Sequence, residues 1–175
     1  MKYCAFLRGV NVKGTSMKMA EVCSVFENAG MDNVISVLAS GNIIFNSDKT
    51  VEDLKVILEK SMSEYFNYEA FLFIKSKEGI EKILNSNPFE ENKDFHTYVF
   101  VGIENIETVL MKEFQELPKM QDESAEVVNG YFYWQLPKGN TLASQFGKIL
   151  GKKSLKDKFT SRNLNSFEKI VYKIR

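Results

Sequence analysis

Three polar stretches hold the residues of this sequence that are best suited to chemistry. They are 8–14 (Arg-Gly-Val-Asn-Val-Lys-Gly), 40–42 (Ser-Gly-Asn) and 160–163 (Thr-Ser-Arg-Asn). Arg, Asn, Ser and Thr side chains supply hydrogen-bond donors, and glycines let backbone N–H groups converge on one point. Because the stretches contain no His, Cys or carboxylate, they predict a place that holds an anion or a planar polar group. They do not predict a nucleophile–base pair, and no catalytic residue is assigned.

The candidate ligand-binding residues combine guanidinium, ammonium, amide and hydroxyl groups: Arg8, Asn11, Lys18, Ser40, Asn42, Arg162 and Asn163. The planar fork of an arginine suits phosphate or carboxylate. The first stretch matches neither the G-x-G-x-x-G pattern nor the P-loop pattern, so no cofactor is predicted. Each stretch also has an ordinary interpretation, in which its polar residues serve turns and helix caps.

The second and third stretches illustrate these alternatives. The 40–42 stretch joins two predicted strands as a turn or a bulge, and it could face away from the first loop. Thr160 or Ser161 could cap the last helix, or Arg162 and the start of that helix could meet an anion.

The remaining chemically active side chains are few. His96 is the only histidine; Asp94 could orient it, and an ordinary residue at a strand edge is the alternative. One histidine and two distant cysteines cannot build a four-ligand zinc site, so no metal is predicted. Cys4 and Cys23 are interpreted as buried thiols of a cytoplasmic protein.

Bulk composition limits the classes of function. The chain has 175 residues, 44% of them hydrophobic and 26% charged, which is typical of a soluble globular protein. No apolar run is long enough to span a membrane, and none resembles a signal peptide. The formal net charge of zero argues against a dedicated nucleic-acid binder. The choice between monomer and homodimer stays open.

Charge is nevertheless unevenly distributed. Residues 148–175 contain nine Lys or Arg and two acidic residues, whereas residues 104–126 contain seven acidic residues and two Lys. This asymmetry permits a basic face for RNA or DNA. The commoner explanation is attraction between two solvated faces of the same protein.

Hydrophobic periodicity predicts the elements of the first half. Thr50 and Asp53 form an imperfect capping box, and Gly30 closes the preceding helix. The predicted elements are strands at 2–7, 34–39, 42–46 and 69–75, a helix at 19–29 and a helix from 50 with Leu54, Leu58, Met62 and Tyr65 on its apolar side. The order βαββαβ is that of the ferredoxin-like fold. Ser76 is predicted to cap a further short helix.

The second half is less regular. Asn129-Gly130 between apolar runs predicts a β-hairpin. The other predicted elements are a strand at 97–102 and helices at 106–117, at 142–150 and from about 163. The fold class is therefore α+β: a ferredoxin-like half at 1–87, a second, smaller α+β half at 88–175, and a C-terminal helix that packs back.

The chain resembles a widespread bacterial family that is known as a domain of unknown function, number 1697. Members have an Arg-Gly-(Ile/Val)-Asn-Val-Gly-Gly loop followed by Lys-Met, then Gln-Ser-Gly-Asn, and near the end Thr-x-Arg-Asn-Trp. The matching segments here are 8–14, 18–19, 39–45 and 160–166, with Asn-Pro-Phe at 87–89. The sequence departs from the pattern at Lys13, Ala39 and Leu164. The resemblance implies a partly ferredoxin-like fold and no established activity.

These observations lead to a hypothesis about function. We expect the loop at residue 8 and the segment at residue 162 to line one cleft that binds a small anionic or phosphorylated ligand. A nucleic-acid-binding module with a basic C-terminal face is one alternative. An enzyme without a recognisable catalytic motif is the other.

Overall fold

The computed structural model describes residues 1–12 and 15–175. Lys13, which was predicted to charge the first loop, lies outside the described residues together with Gly14. The chain divides into two compact units, one formed by Met1–Glu81 with Glu168–Arg175 and the other by Lys82–Phe167. The predicted boundary between 87 and 88 stays a prediction.

The first unit has the predicted ferredoxin-like topology. Its elements are β1 (Lys2–Leu7), a short ribbon of β2 (Asn11–Val12) and β3 (Thr15–Ser16), α1 (Met19–Asn28), β4 (Asp32–Val37), β5 (Asn42–Asn46), α2 (Val51–Phe66), β6 (Leu72–Ser76) and the start of α3 (Lys77–Asn85). The four long strands form an antiparallel sheet in the order β4-β5-β1-β6. The first strand thus lies between the third and the fourth, as the βαββαβ pattern predicts.

Local sequence signals explain how α2 is placed against this sheet. Thr50 accepts a hydrogen bond from the backbone N–H of Asp53, so the predicted cap is confirmed. Leu54, Leu58 and Met62 are buried against the sheet, as their spacing predicts. Tyr65 is 57% exposed, so its assignment to the apolar side is wrong. Its ring packs on that of Phe66 in the last turn of the helix, with centroids 4.7 Å apart.

The second unit has the same strand order as the first. Its elements are the end of α3, β7 (Phe95–Gly102), α4 (Ile106–Glu116), β8 (Ser124–Val128), β9 (Tyr131–Pro137), two 3₁₀ turns (Phe146–Gly151 and Lys153–Leu155), β10 (Phe159–Asn163) and the start of α5 (Leu164–Ile174). Its antiparallel sheet has the order β10-β7-β9-β8. Within the described residues, each unit therefore holds one four-stranded sheet in which the first strand lies between the third and the fourth.

Two predictions for this unit are wrong. The segment 142–150 was expected to be a helix, but Leu142 is 88% exposed and the chain forms 3₁₀ turns from Phe146 onward. Thr160 or Ser161 was one candidate for the cap of the last helix, but both residues lie in the edge strand β10. Thr160 and Ser161 therefore do not cap α5; the side chain of Asn163 does, because its Oδ1 accepts the N–H of Asn165 at 3.0 Å.

A pair of glycines in the first unit gives a test of the backbone assignment. Ser76 caps α3 as predicted, since its Oγ accepts the N–H of Gly79, and a Cβ on Gly79 would make only ordinary contacts at 3.6 Å or more. Gly79→Ala should raise stability by about 0.5–1 kcal/mol, because alanine loses less conformational entropy in a helix. Gly30→Ala has open space around the added Cβ but a φ of +88°, and it should lower stability by about 1 kcal/mol. Thermal denaturation measures both, and equal shifts would contradict the assignment.

Within the described residues, no helix is both long and apolar enough to cross a membrane.

Candidate functional site

The first two polar stretches meet where the strands of the first sheet end, beside the last residues of β1. Because β5 runs antiparallel to β1, the end of β1 lies beside the start of β5, and Phe6 pairs with Asn42. The N–H of Leu7 donates to the carbonyl of Gly41 at 2.8 Å. The turn of residues 38–41 therefore does not face away from the loop after β1, and the sequence alone left this open.

Glycine at position 41 is required by this close approach. A Cβ on Gly41 would lie 3.0 Å from the Cβ of Leu7 and 3.0 Å from Cγ1 of Val10, and the residue has a φ of +81°. Side chains with a Cβ are disfavoured on both counts. The turn thus packs directly on the residues that flank Arg8 and Gly9. We use the name β1 edge for this region at the C-terminal end of β1, which is formed by residues 8–10, 18 and 40–42.

Asn42 holds the turn in shape. It is fully buried, and its Nδ2 donates to the carbonyl of Val37 at 2.9 Å and to the Oγ of Ser40 at 3.0 Å. An amide nitrogen has two hydrogens, so both are used inside the protein. The role visible in the structure is therefore the positioning of Ser40 and Gly41.

Arg8 is fixed at its backbone by the neighbouring strand. Its N–H donates to the carbonyl of Phe71 at 3.0 Å, and the side chain is half-buried. The start of β6 is itself held from α2, where Lys55 Nζ donates to the carbonyl of Leu72 at 2.7 Å and Glu59 accepts the N–H of Leu72 at 3.1 Å. The base of the Arg8 loop is therefore anchored on both neighbouring strands.

Lys18 lies at the same edge, at the start of α1. The chain leaves β1 at this edge and enters β4 at the opposite one, where Asp32 pairs with Asn46, so α1 must begin on the side of Arg8. Lys18 occupies the N-cap position, is exposed and makes no capping hydrogen bond through its side chain. Lysine is a poor N-cap, and its charge repels the positive end of the helix dipole.

Asn11 belongs to the ribbon between Arg8 and Lys18. Its backbone pairs with Ser16 in the two-stranded β2–β3 ribbon. Its side chain lies outside what the structure describes.

The third polar stretch is an alternating strand, so its side chains divide between two faces of the second sheet. Thr160 and Arg162 pair with Val101 and Val99 and share their face, whereas Asn163 pairs with Tyr98 and shares the opposite face. Arg162 and Asn163 consequently point in opposite directions. The prediction that Arg162 shares a cleft with Arg8 stays a prediction.

Arg162 is buried to 7% exposure. Its Nη1 donates to the Oγ1 of Thr160 at 2.8 Å and to the carbonyl of Ser161 at 2.9 Å. These bonds hold the guanidinium along its own strand.

His96 is oriented by Asn163, whereas the sequence had suggested that Asp94 could orient it. Asn163 Nδ2 lies 2.8 Å from His96 Nδ1. Partial burial and the positive charge of Lys138 lower the pKa of the imidazole. The neutral form is therefore favoured near pH 7.

The sequence also did not identify a buried carboxylate in the second unit. Glu123 is 8% exposed and accepts three hydrogen bonds, from Trp134 Nε1 at 2.9 Å, from the N–H of Met120 at 2.8 Å and from Ser144 Oγ. Its position before a hairpin with a single tryptophan was the only available signal. The contacts make it a structural residue.

Metal binding needs clustered ligating side chains, and thiol chemistry needs an activated cysteine. Among the residues that the structure describes, no group of three or more His, Cys, Asp or Glu side chains could hold a metal ion. Cys4 is buried and Cys23 half-buried, and burial raises the pKa of the Cys23 thiol, the reverse of an activated cysteine.

The fold and the β1 edge define a class of α+β proteins with two antiparallel four-stranded sheets. The family model described as "Protein of unknown function (DUF1697)" matches residues 1–133, and the chain belongs to this family. A search of curated proteins finds no match. Among solved structures, the conserved bacterial protein SP0830 from Streptococcus pneumoniae is 23% identical, with a TM-score of 0.79 over 99% of this chain and 98% of that one. At this identity the likeness shows the fold.

Proposed function

We propose that the protein binds a small anionic or phosphorylated ligand at the β1 edge. The observation that supports this most is the packing of the Gly41 turn on Leu7 and Val10, which gives the two polar segments of the first unit a common edge. Arg8 offers a planar set of donors that matches phosphate or carboxylate. Lys18 adds a second cation at the N-terminus of α1, where backbone N–H groups also favour an anion.

The position of Lys18 supports the proposal by a second route. A lysine at an N-cap places like charges together and costs stability that Ser, Thr, Asp or Asn would supply. Local choices that disagree with the surrounding structure are expected mainly where function requires them. A bound anion would relieve the repulsion between the Lys18 ammonium and the helix terminus.

The nucleic-acid alternative has weaker support. Modules of this topology stack bases on aromatic residues of the central strands. Phe45 on β5 is fully buried and packs on Tyr3 and Phe26, with centroids 5.8 and 5.6 Å apart. In the basic segment, Lys152 forms an ion pair with Glu113 at 3.5 Å, as expected if the two charged segments attract each other.

Thermal denaturation with a panel of anions tests the proposal. The panel should contain inorganic phosphate, pyrophosphate, sugar phosphates, nucleotides and dicarboxylates. A ligand at 100 times its Kd should add about 2.7 kcal/mol, which corresponds to a Tm rise of roughly 5–10 °C for a chain of this size. Arg8→Ala should weaken binding by about 10- to 100-fold, since one charge-assisted interaction is worth roughly 1.5–3 kcal/mol.

Matched variants make the result specific. Arg8→Lys keeps the charge and loses the planar fork, so it should bind with intermediate affinity. Arg175→Ala removes an exposed arginine of the same unit away from the edge and should bind like the parent protein. The proposal fails if no anion raises the Tm, or if Arg8→Ala responds as strongly as Arg175→Ala.

As a further proposal, the two thiols suit a reducing, cytoplasmic environment.

A further inference from the structure

A chain of hydrogen bonds connects the only histidine to the first turn of α5. Asn163 is the last residue of β10 and directly precedes the helix. Its Oδ1 accepts the N–H of Asn165 at 3.0 Å, and its Nδ2 lies 2.8 Å from Nδ1 of His96 on β7. One amide therefore caps a helix with its oxygen and bonds an imidazole with its nitrogen.

This arrangement fixes the tautomer of His96. The N–H of Asn165 can only donate, so the atom of Asn163 that faces it must be the oxygen. The amide nitrogen then faces His96, and because an amide nitrogen only donates, Nδ1 of the imidazole must accept. The proton of neutral His96 consequently lies on Nε2.

Protonation of His96 is incompatible with this chain. A second proton would sit on Nδ1 and point at the NH₂ group of Asn163, so that two donors would face each other. If the amide rotates by half a turn to offer its oxygen to the imidazolium, its NH₂ group faces the N–H of Asn165 and the cap is lost. If the ring moves away instead, the side-chain hydrogen bond between β7 and β10 is lost.

We propose that His96 and Asn163 form a pH-sensitive latch at the start of α5, closed when the imidazole is neutral and opened when it is protonated. The latch acts on the segment through which the chain returns from the second unit to the first, since α5 begins at Leu164 and its residues from Glu168 onward belong to the first unit.

The groups around His96 favour the neutral imidazole, which is the form that closes the latch. Tyr98 on the same strand lies with its ring centroid 5.8 Å away, and its hydroxyl is 3.2 Å from that of Thr141. Lys138, after β9, is the charged group that disfavours the imidazolium, and its N–H donates to the carbonyl of Asp94, an exposed residue. The imidazole is accessible enough to take up a proton from water.

The direction of the pH effect follows from the lowered pKa. The folded protein binds a proton at His96 less readily than the unfolded chain, whose value is near 6.5. The stabilising contribution of the latch is therefore fully present above pH 6.5, and it is lost as the pH falls through the folded pKa.

Nuclear magnetic resonance can observe each link, because the single histidine gives one set of imidazole signals. Long-range ¹H–¹⁵N spectra of the full chain should show the Nε2–H tautomer above pH 7 and an apparent pKa below 6.5. The backbone amide of Asn165 should change its chemical shift with the same midpoint, and its protection from hydrogen exchange should fall at least several-fold below it.

Two variants separate the latch from a local shift of His96. Asn163→Asp keeps the capping oxygen and gives His96 a carboxylate, so the pKa should move above 6.5 and the Asn165 amide should stay protected after protonation. His96→Ala should abolish the pH dependence of that amide. The proposal is overturned by an Nδ1–H tautomer, by an Asn165 amide that ignores the titration of His96, or by a pKa that falls in Asn163→Asp.

Discussion

Gly102→Ala should destabilise the protein by about 3 kcal/mol, near the upper end of the cost of overpacking. A Cβ at this position would lie 2.3 Å from the carbonyl oxygen of Lys158 and 2.9 Å from the Cβ of Phe159. The carbonyl cannot easily move, because it also accepts the N–H of Ile103 at 2.9 Å. The backbone at Gly102 is not in the left-handed region, so the expected effect is steric alone.

The measurement is thermal or urea denaturation against a matched glycine. Gly151 has no atom within 4 Å of its ideal Cβ and no positive φ, so Gly151→Ala should change stability by less than about 0.5 kcal/mol. For a chain of this length, 3 kcal/mol corresponds to a Tm decrease of roughly 6–12 °C. Equal Tm values for the two variants would show that β10 does not approach β7 as described.

Glu123→Gln should be similarly damaging although it changes few atoms. The carboxylate accepts from Trp134 Nε1 and Ser144 Oγ through Oε1 and from the N–H of Met120 through Oε2. Whichever way the new amide lies, its NH₂ group faces at least one of these donors. A buried donor left without an acceptor costs about 1–3 kcal/mol, and more when the lost partner is charged.

The single tryptophan provides a local measurement of this contact. We expect Glu123→Gln to lose about 2–3 kcal/mol in urea denaturation, and the emission of Trp134 to change in the folded state because its indole N–H loses a charged acceptor. Glu126→Gln alters an exposed carboxylate three residues away and should be neutral within about 0.5 kcal/mol. A Glu123→Gln protein as stable as Glu126→Gln would refute the structural role.

The features that sequence predicted correctly depend on local signals. The Thr50 cap needs only Asp53 three residues later, and the hairpin needs only Asn129 and Gly130, whose φ values of 53° and 81° match the predicted turn. Strand β10 depends instead on distant pairing, since Phe159 pairs with Gly102. Its polar side chains carry little strand signal, so the sequence did not predict a strand there.

For the candidate site too, the sequence showed local features and did not show contacts between distant residues. The residue types of the β1 edge were visible in the sequence, as was their place at the ends of strands. The contact of Gly41 with Leu7 and Val10 was not, because it follows from the order of strands in the sheet. The opposite directions of Arg162 and Asn163 likewise follow from the alternation of a strand that periodicity did not reveal.

The most direct test of the proposed function is amide chemical-shift mapping with the anion that stabilises the protein best. Titration into ¹⁵N-labelled protein should perturb the backbone amides of Arg8, Gly9, Ser40 and Gly41 together, and Arg8→Ala should remove these changes at the same anion concentration. Perturbations confined to the lysine-rich segment 148–158, or none at the β1 edge, would contradict the account.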